Sequence, residues 1–344
     1  SGAVAILIDP GMGRRNLLAC LSEAKPDGFI ALPMVHAIRL LYRTRFPQAR
    51  FLVTVGRRYG WGGVTLRQVR DMGNGKTHTV TTGGDDPAAI IFTTGSTGVP
   101  KGVLYAHRQF VAQVEQLKQH YDLQPGGIDL AGFPLFGLFN SGLGVTTVVP
   151  DMDATRPADI DPQRFLDDID RWKVTQSFGS PALWNTVTTY CAKHDLHIGH
   201  VQKVFSAGAP VPGRVLERLQ TQLSPNAQIH TPYGATEALP VASISAAEVL
   251  SETQLRTDRG AGVCVGKRFA DIGWRVIPIC DAPLDRLPES LSVGQIGELV
   301  VSGPVVTTRY VTRQEVNRWA KINVDGTIWH RMGDVGYLDQ AEIG

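Results

Sequence analysis

Residues 93 to 102 read Thr93-Thr94-Gly95-Ser96-Thr97-Gly98-Val99-Pro100-Lys101-Gly102. Before them stands the apolar run Ala88-Ala89-Ile90-Ile91-Phe92, and behind them the shorter Val103-Leu104-Tyr105; each reads as a strand. The stretch between is therefore a loop hung from two strands. Gly95, Gly98 and Gly102 open backbone conformations closed to other residues, so successive N–H groups can turn toward one centre and form an anion nest. Thr94, Ser96 and Thr97 add hydroxyl donors, and Lys101 adds a mobile positive charge. This donor set suits a polyphosphate. A solvated Gly/Ser/Thr linker has a similar composition, but such a linker rarely follows a buried strand directly and resumes as a strand after Pro-Lys-Gly. The pattern is not the P-loop of ordinary NTPases, which needs Gly-x-x-x-x-Gly-Lys-Ser/Thr opening a helix. Gly75-Lys76-Thr77 comes nearer, but Arg70 stands where the first glycine belongs.

Outward from the loop, strand and helix signals alternate. Residues 3–8, 28–32 and 51–55 read as strands, 15–25 as a helix, and Pro33 opens another. Gly11 and Gly13 follow the first strand, but Asn16 takes the place of a third glycine, which removes a dinucleotide fingerprint. Residues 57–86 read as a surface excursion with little core. The spacing predicts a helix over 108–121 with Val111, Val114 and Leu117 on one face. The alternation returns between 162 and 230, predicting a second wound sheet, and residues 295–310 and 327–338 read as antiparallel β structure around Gly-rich turns. The fold class is α/β: two wound β-sheet subdomains with flanking helices over 1–240, and a smaller β-rich subdomain over 241–344. Ligands of such folds tend to bind in the crevice beyond the strand ends. Residues 132–142 set bulky apolar side chains among glycines, either a core strand or the wall of an apolar pocket.

Bulk composition narrows the classes. The chain has 344 residues, 43% hydrophobic and 19% charged, a globular balance. A net charge of +2 gives no field that argues for nucleic acid. Cys20, Cys191, Cys264 and Cys280 lie far apart without metal-ligand spacing, and read as free thiols of a reducing, cytoplasmic compartment. No apolar run reaches the length of a membrane span, and Ser1-Gly2-Ala3-Val4 lacks the basic start of a secretory signal.

A second constellation is Tyr233-Gly234-Ala235-Thr236-Glu237. Tyr233 can stack on a base, Gly234 can let that base approach the backbone, Thr236 can donate to a phosphate oxygen, and Glu237 can hold magnesium, which prefers oxygen ligands. A plain turn with a solvated glutamate is the alternative reading.

Both constellations resemble the adenylate-forming enzymes: acyl-CoA synthetases, luciferases and peptide-synthetase adenylation domains. Thr93–Gly102 resembles their phosphate loop and Tyr233–Glu237 their Tyr-Gly-x-Thr-Glu motif. Ser206 to Pro210 resembles their adenine-site turn, with Ala207 where glycine is frequent and Gly208, Ala209 and Pro210 in place. Arg331-Met332-Gly333-Asp334 resembles the motif whose aspartate grips both ribose hydroxyls, and Gly297-Glu298-Leu299 a structural motif between. The resemblance implies ATP and magnesium as cofactors. It implies phosphate cradling by Thr93, Thr94, Gly95, Ser96, Thr97, Gly98 and Lys101, with Thr97, Lys101 and Glu237 catalytic. Tyr233 would stack on the base beside Gly234, Ala235 and Thr236, Asp334 would take the ribose, and Glu237 the metal. The implied reaction is attack of a carboxylate on the ATP α-phosphate, giving an acyl-adenylate and pyrophosphate.

Pro134-Leu135-Phe136 resembles the segment bordering the acyl pocket, but Gly137 stands where many acyl-CoA synthetases carry histidine. Together with Phe133–Phe139 and Tyr233–Pro240, this is similar to the β-lactone-forming branch of bacterial olefin biosynthesis. There the 3-hydroxyl of a long-chain 3-hydroxy acid closes onto the activated carboxyl. That branch implies a small-molecule carboxylic acid as substrate, and the enzymes of its pathway as candidate partners. A long-chain acyl-CoA ligase and a non-catalytic nucleotide-binding module are the other readings. Family members continue past the Asp334 position into a mobile domain that brings a catalytic lysine. Residues 340–344 do not resemble that hinge, so the chain matches the central core of such an enzyme.

Overall fold

The computed structural model describes residues 2–73, 75, 79–93 and 99–339. Thr94, Gly95, Ser96, Thr97 and Gly98 of the loop thus lie outside the described residues. The chain divides into two compact units, Ser1–His107 with Arg309–Gln314, and Arg108–Thr308 with Glu315–Gly344.

The first unit carries β1 (Ala5–Leu7), β2 (Gly28–Ala31), β3 (Phe51–Thr54), β4 (Val64–Thr65), β5 (Pro87–Phe92) and β6 (Gly102–Ala106). β2, β3 and β4 pair in parallel, while β5 pairs in parallel with β1 and antiparallel with β6. The helix Arg14–Ala24 leads from β1 to β2 in the other sheet, and Pro33–Leu41 makes the crossover that the parallel β2–β3 pairing requires. The first stops at Lys25, whose left-handed φ of 49° lets its N–H reach the Leu21 carbonyl. The second starts on Pro33, where a missing N–H costs no helical bond. Residues 309–314 run along β6: Leu104 N–H donates to the Arg309 carbonyl (3.1 Å) and Val311 N–H to the Gly102 carbonyl (2.9 Å). Residues 57–86 hold more structure than expected. β4 and the helix Leu66–Gly73 lie there, but no residue of that helix is buried, so it adds little to a core.

The second unit carries β7 (Ile128–Ala131), β8 (Thr146–Val148), β9 (Gln176–Gly179), β10 (Lys203–Ser206), β11 (Gln228–Ala235), β12 (Ala238–Ser245) and β13 (Lys267–Arg268) in one sheet, ordered β13-β12-β11-β10-β9-β7-β8. β7 to β11 are parallel; β12 and β13 are antiparallel additions. Helices Pro162–Trp172, Pro181–His194 and Gly213–Gln222 supply Phe165, Ile169, Leu183, Trp184, Leu216 and Leu219 to one core cluster. Asp161 and Ser180 cap the first two, each accepting from backbone N–H groups of the first turn, worth about 1 kcal/mol apiece. A second sheet, β14 (Gly273–Ile277), β15 (Gly297–Ser302), β16 (Lys321–Val324) and β17 (Thr327–Gly336), is antiparallel in the order β14-β15-β17-β16. The α/β class with a smaller β-rich sheet is therefore the fold. The boundary expected at 240 needs correction, because β12 crosses it and pairs with β11 on one side and β13 on the other.

Two local expectations also change. The helix His107–His120 turns Gln109, Ala112, Gln113 and Gln116 inward and leaves Val111 exposed. The glutamine amides are drawn in by backbone carbonyls: Gln113 donates to Leu239 (2.9 Å), Gln116 to Ala270 (2.7 Å) and Gln109 to Val306 (3.5 Å). Residues 132–142 form no strand; a 3₁₀ turn, Pro134–Phe136, leads into the helix Gly137–Leu143. Among the described residues no helix is long and apolar enough to cross a membrane.

Candidate functional site

The neck of the loop is a clasp. Thr93 N–H donates to the Lys101 carbonyl (3.0 Å), and Lys101 N–H donates to Thr93 Oγ1 (3.1 Å). Thr93 is buried, so the two strands are tied where the loop leaves them. Gly102 follows in tight surroundings: a Cβ there would lie 3.0 Å from Ile90 Cγ2 and 3.2 Å from the Phe92 ring, so those side chains would have to shift. Its N–H donates to Thr312 Oγ1 (2.8 Å). The Lys101 ammonium sits 4.9 Å above the ring of buried Tyr310, a cation–π shelf that holds the charge at the loop mouth.

In the second unit, Tyr233 to Glu237 closes a β-hairpin. β11 ends at Ala235 and β12 begins at Ala238, so Thr236 and Glu237 are its two-residue turn. The pairing slips between Tyr233 and Ala235, where Tyr233 faces Ala242 and Ala235 faces Ala238. Gly234 lies in that slip. A Cβ on it would come 2.7 Å from the Ala238 carbonyl oxygen and 2.8 Å from Leu239 Cβ, so the glycine is required by the hairpin itself. Glu237 is 7% exposed, and its carbonyl accepts from both the N–H and the hydroxyl of Thr307, each at 2.9 Å. Lys321 Nζ in turn donates to the Thr307 carbonyl (2.7 Å).

Asp334 is delivered by a bulge. Glu298 and Val300 of β15 face Val335 and Arg331, so the single residue Leu299 is matched on β17 by three, Met332, Gly333 and Asp334. Gly333 takes φ 74°, a left-handed conformation natural to glycine. Arg331 anchors the bulge from one side. Its Nε donates to both Glu298 oxygens (3.1 and 2.9 Å), and its Nη2 to Glu298 Oε2 (2.5 Å) and the Cys280 carbonyl (2.5 Å). Nη1 donates to the carbonyls of Ala282 (3.0 Å) and Trp319 (3.1 Å). Two sequence motifs, Gly297-Glu298-Leu299 and Arg331-Met332-Gly333-Asp334, are thus one buried ion pair. On the other side the Tyr233 hydroxyl donates to Asp334 Oδ2. Burial, and then the Asp334 carboxylate, hold the Tyr233 phenol far above its ordinary range.

Ser206 ends β10, and Gly208, Ala209 and Pro210 lie exposed beyond it, with Gly208 at φ 93°. Ala207 does not need a positive φ, which explains why alanine serves there. Beside β9 the rings of Phe133, Phe136, Phe139 and Phe178 pack together, Phe136 stacking on Phe178 at 3.9 Å. Gly137 has no room for a side chain, since a Cβ would lie 2.8 Å from Thr147 Cγ2.

Beneath that helix lies a polar knot that the motifs do not announce. Asn140 Nδ2 donates to Asp129 Oδ2 (2.7 Å) and Thr147 Oγ1 (2.9 Å). Burial pushes the Asp129 carboxyl up to about 6, against the lowering effect of the Asn140 amide. Its one sequence signal is a lone acid inside the strand Ile128-Asp129-Leu130-Ala131. Among the described residues no group of three or more His, Cys, Asp and Glu side chains could cage a metal.

A family model for AMP-binding enzymes matches residues 1–311. Over 98% of its length the chain is 49% identical to the olefin beta-lactone synthetase of Stenotrophomonas maltophilia, of which it spans 62%. Over the same share it is 47% identical to the olefin beta-lactone synthetase of Xanthomonas campestris pv. campestris, of which it spans 61%. In fold it is similar to an anthranilate CoA ligase solved with anthranoyl-AMP, with a TM-score of 0.79 at 16% identity, covering 99% of this chain and 62% of that one.

Proposed function

The chain belongs to the AMP-binding enzyme family, and from that premise we propose that the protein containing it adenylates a long-chain 3-hydroxy acid and closes it to a β-lactone. The observation that carries this reading is the 49% identity, over 98% of the chain, to an olefin beta-lactone synthetase. A carboxylate oxygen attacks the ATP α-phosphorus and pyrophosphate leaves. The substrate's own 3-hydroxyl oxygen then attacks the acyl carbon, its proton is lost and AMP departs. The first step must bring one anion to another, so the protein's contribution is positioning and charge neutralisation.

In this reading Thr93 and Lys101 serve the phosphates together with Thr94, Gly95, Ser96, Thr97 and Gly98. Tyr233 stacks on the base, an interaction worth about 1–3 kcal/mol where measured for nucleic acids. Asp334 takes the ribose, Gly208, Ala209 and Pro210 line the adenine, and Thr236 and Glu237 meet the phosphates and their magnesium. The second step needs no further carrier, because its nucleophile is already tethered to the acyl group and little translational entropy is lost. Gly137 fits this scheme, since the position leaves no space for the histidine of many acyl-CoA synthetases. The protein works in the cytoplasm.

The test uses the full-length protein with ATP, magnesium and a 3-hydroxy fatty acid, with and without CoA, and mass spectrometry of the product. A lactone formed without CoA is the expected result. A thioester that requires CoA overturns the lactone step, and nucleotide binding without turnover of any acid overturns the enzyme.

A further inference from the structure

The Tyr233 ring is one half of a side chain whose other half is committed elsewhere. Its hydroxyl crosses from β11 to β17 and donates to Asp334 Oδ2. The two partners differ in how firmly they are held. The Tyr233 ring packs against the core cluster of Phe178, Phe205, Ala238 and Val241. Asp334 is exposed, on a bulge whose preceding residue is a glycine at φ 74°. A free carboxylate there would sample several rotamers, and any ligand it gripped would have to select one.

We propose that the Tyr233 hydroxyl is a positioning group for ribose recognition: it fixes the Asp334 carboxylate in the orientation that accepts both ribose hydroxyls of the nucleotide. This rests on the proposed nucleotide-dependent function and adds to it. An ionised carboxylate has about four acceptor sites, so one phenol bond leaves room for two sugar hydroxyls. The phenol stays protonated through the working range, because burial and the neighbouring carboxylate both disfavour its anion. Tyr233 therefore works through its oxygen as well as its face. A residue that only stacked would lose little on becoming phenylalanine.

The experiment is nucleotide binding and steady-state kinetics with the full-length protein, comparing ATP with 2′-deoxy-ATP. Tyr233→Phe keeps the ring and removes the donor. It is expected to weaken ATP binding about tenfold to 150-fold, the range for losing a hydrogen bond to a charged group, with the loss falling more on KM for ATP than on kcat. The preference for ATP over 2′-deoxy-ATP shrinks in the same variant. Asp334→Ala and the double variant should bind ATP equally, because the hydroxyl acts only through that carboxylate. Placing 4-aminophenylalanine at 233 returns a donor to the ring and should restore affinity, and this comparison stands even if Tyr233→Phe folds poorly. Wild-type affinity and sugar preference in well-folded Tyr233→Phe overturn the inference alone, as do additive losses in the double variant. Wild-type protein that neither binds nor uses ATP overturns the functional reading beneath it.

Discussion

Replacing Glu298 by alanine probes how the ribose-side bulge is built. Glu298 and Arg331 side chains are each only 10% exposed, and three of the guanidinium's contacts run to that one carboxylate. Removing one partner of a buried pair costs about 3–5 kcal/mol, because the other charge stays behind. Arg331 would keep the carbonyls of Cys280, Ala282 and Trp319, which places the loss near the lower end, about 3 kcal/mol. For a unit of this size each kcal/mol moves the melting temperature by about 2–4 °C, so Glu298→Ala should melt about 6–12 °C lower. Only Met332 and Gly333 separate Arg331 from Asp334, so ATP affinity should fall with the stability. Glu298→Gln keeps the shape and an acceptor, and should lose less of both. Differential scanning calorimetry and nucleotide titration of the full-length protein decide it. A melting temperature within about 2 °C of wild type would mean the pair contributes no more than an exposed one, at most about 1 kcal/mol, and the buried-anchor account would be wrong.

Glu237→Ala should slow ATP–pyrophosphate exchange at least about a hundredfold, the scale of losing one charge-stabilising group; near-normal exchange removes this carboxylate from the chemistry. His230 is held down to about 4, first by burial and then by His120 and Lys203, against an ordinary 6.5. The unfolded chain therefore takes up a proton below pH 6.5 that the folded one refuses until about pH 4, so stability falls across that window. In His230→Phe, denaturant melts from pH 7 to pH 4 should show a shallower decline; an unchanged slope assigns the acid lability to other groups. Gly137→Ala forces a methyl to 2.8 Å from Thr147 Cγ2 and should cost about 1–3 kcal/mol by overpacking, read in urea melts; undiminished stability would show that Thr147 yields freely.

What the sequence reveals here follows locality. Pro162–Trp172, between its Asp161 cap and the left-handed stop at Lys173, carries its core face within one stretch, inside the span where strand and helix signals alternate. The strands on both sides of the loop are legible for the same reason. The inward glutamines of His107–His120 are not, because an amide reads as solvent-facing until one knows that the Leu239, Ala270 and Val306 carbonyls wait opposite. The candidate site divides likewise. Its motifs are compact enough to name, but the Tyr233–Asp334 bond joins residues 101 positions apart, and nothing in either segment announces the other. Gly234 looks permissive toward a ligand, whereas the hairpin already occupies the space beside it. Asp129 and Asn140 are hidden because their meeting depends on where the helix Gly137–Leu143 settles on β7.

That glutamine-bearing helix has a consequence for how this half of the molecule tolerates change. Three amides on one rigid rod each gauge the height of a different backbone segment. Displacing any one of those segments strands a polar group in a dry interior, whose desolvation costs about 1–3 kcal/mol. Drift in sequence near residues 239, 270 or 306 is therefore policed by the rod, and the three regions should vary together or hardly at all.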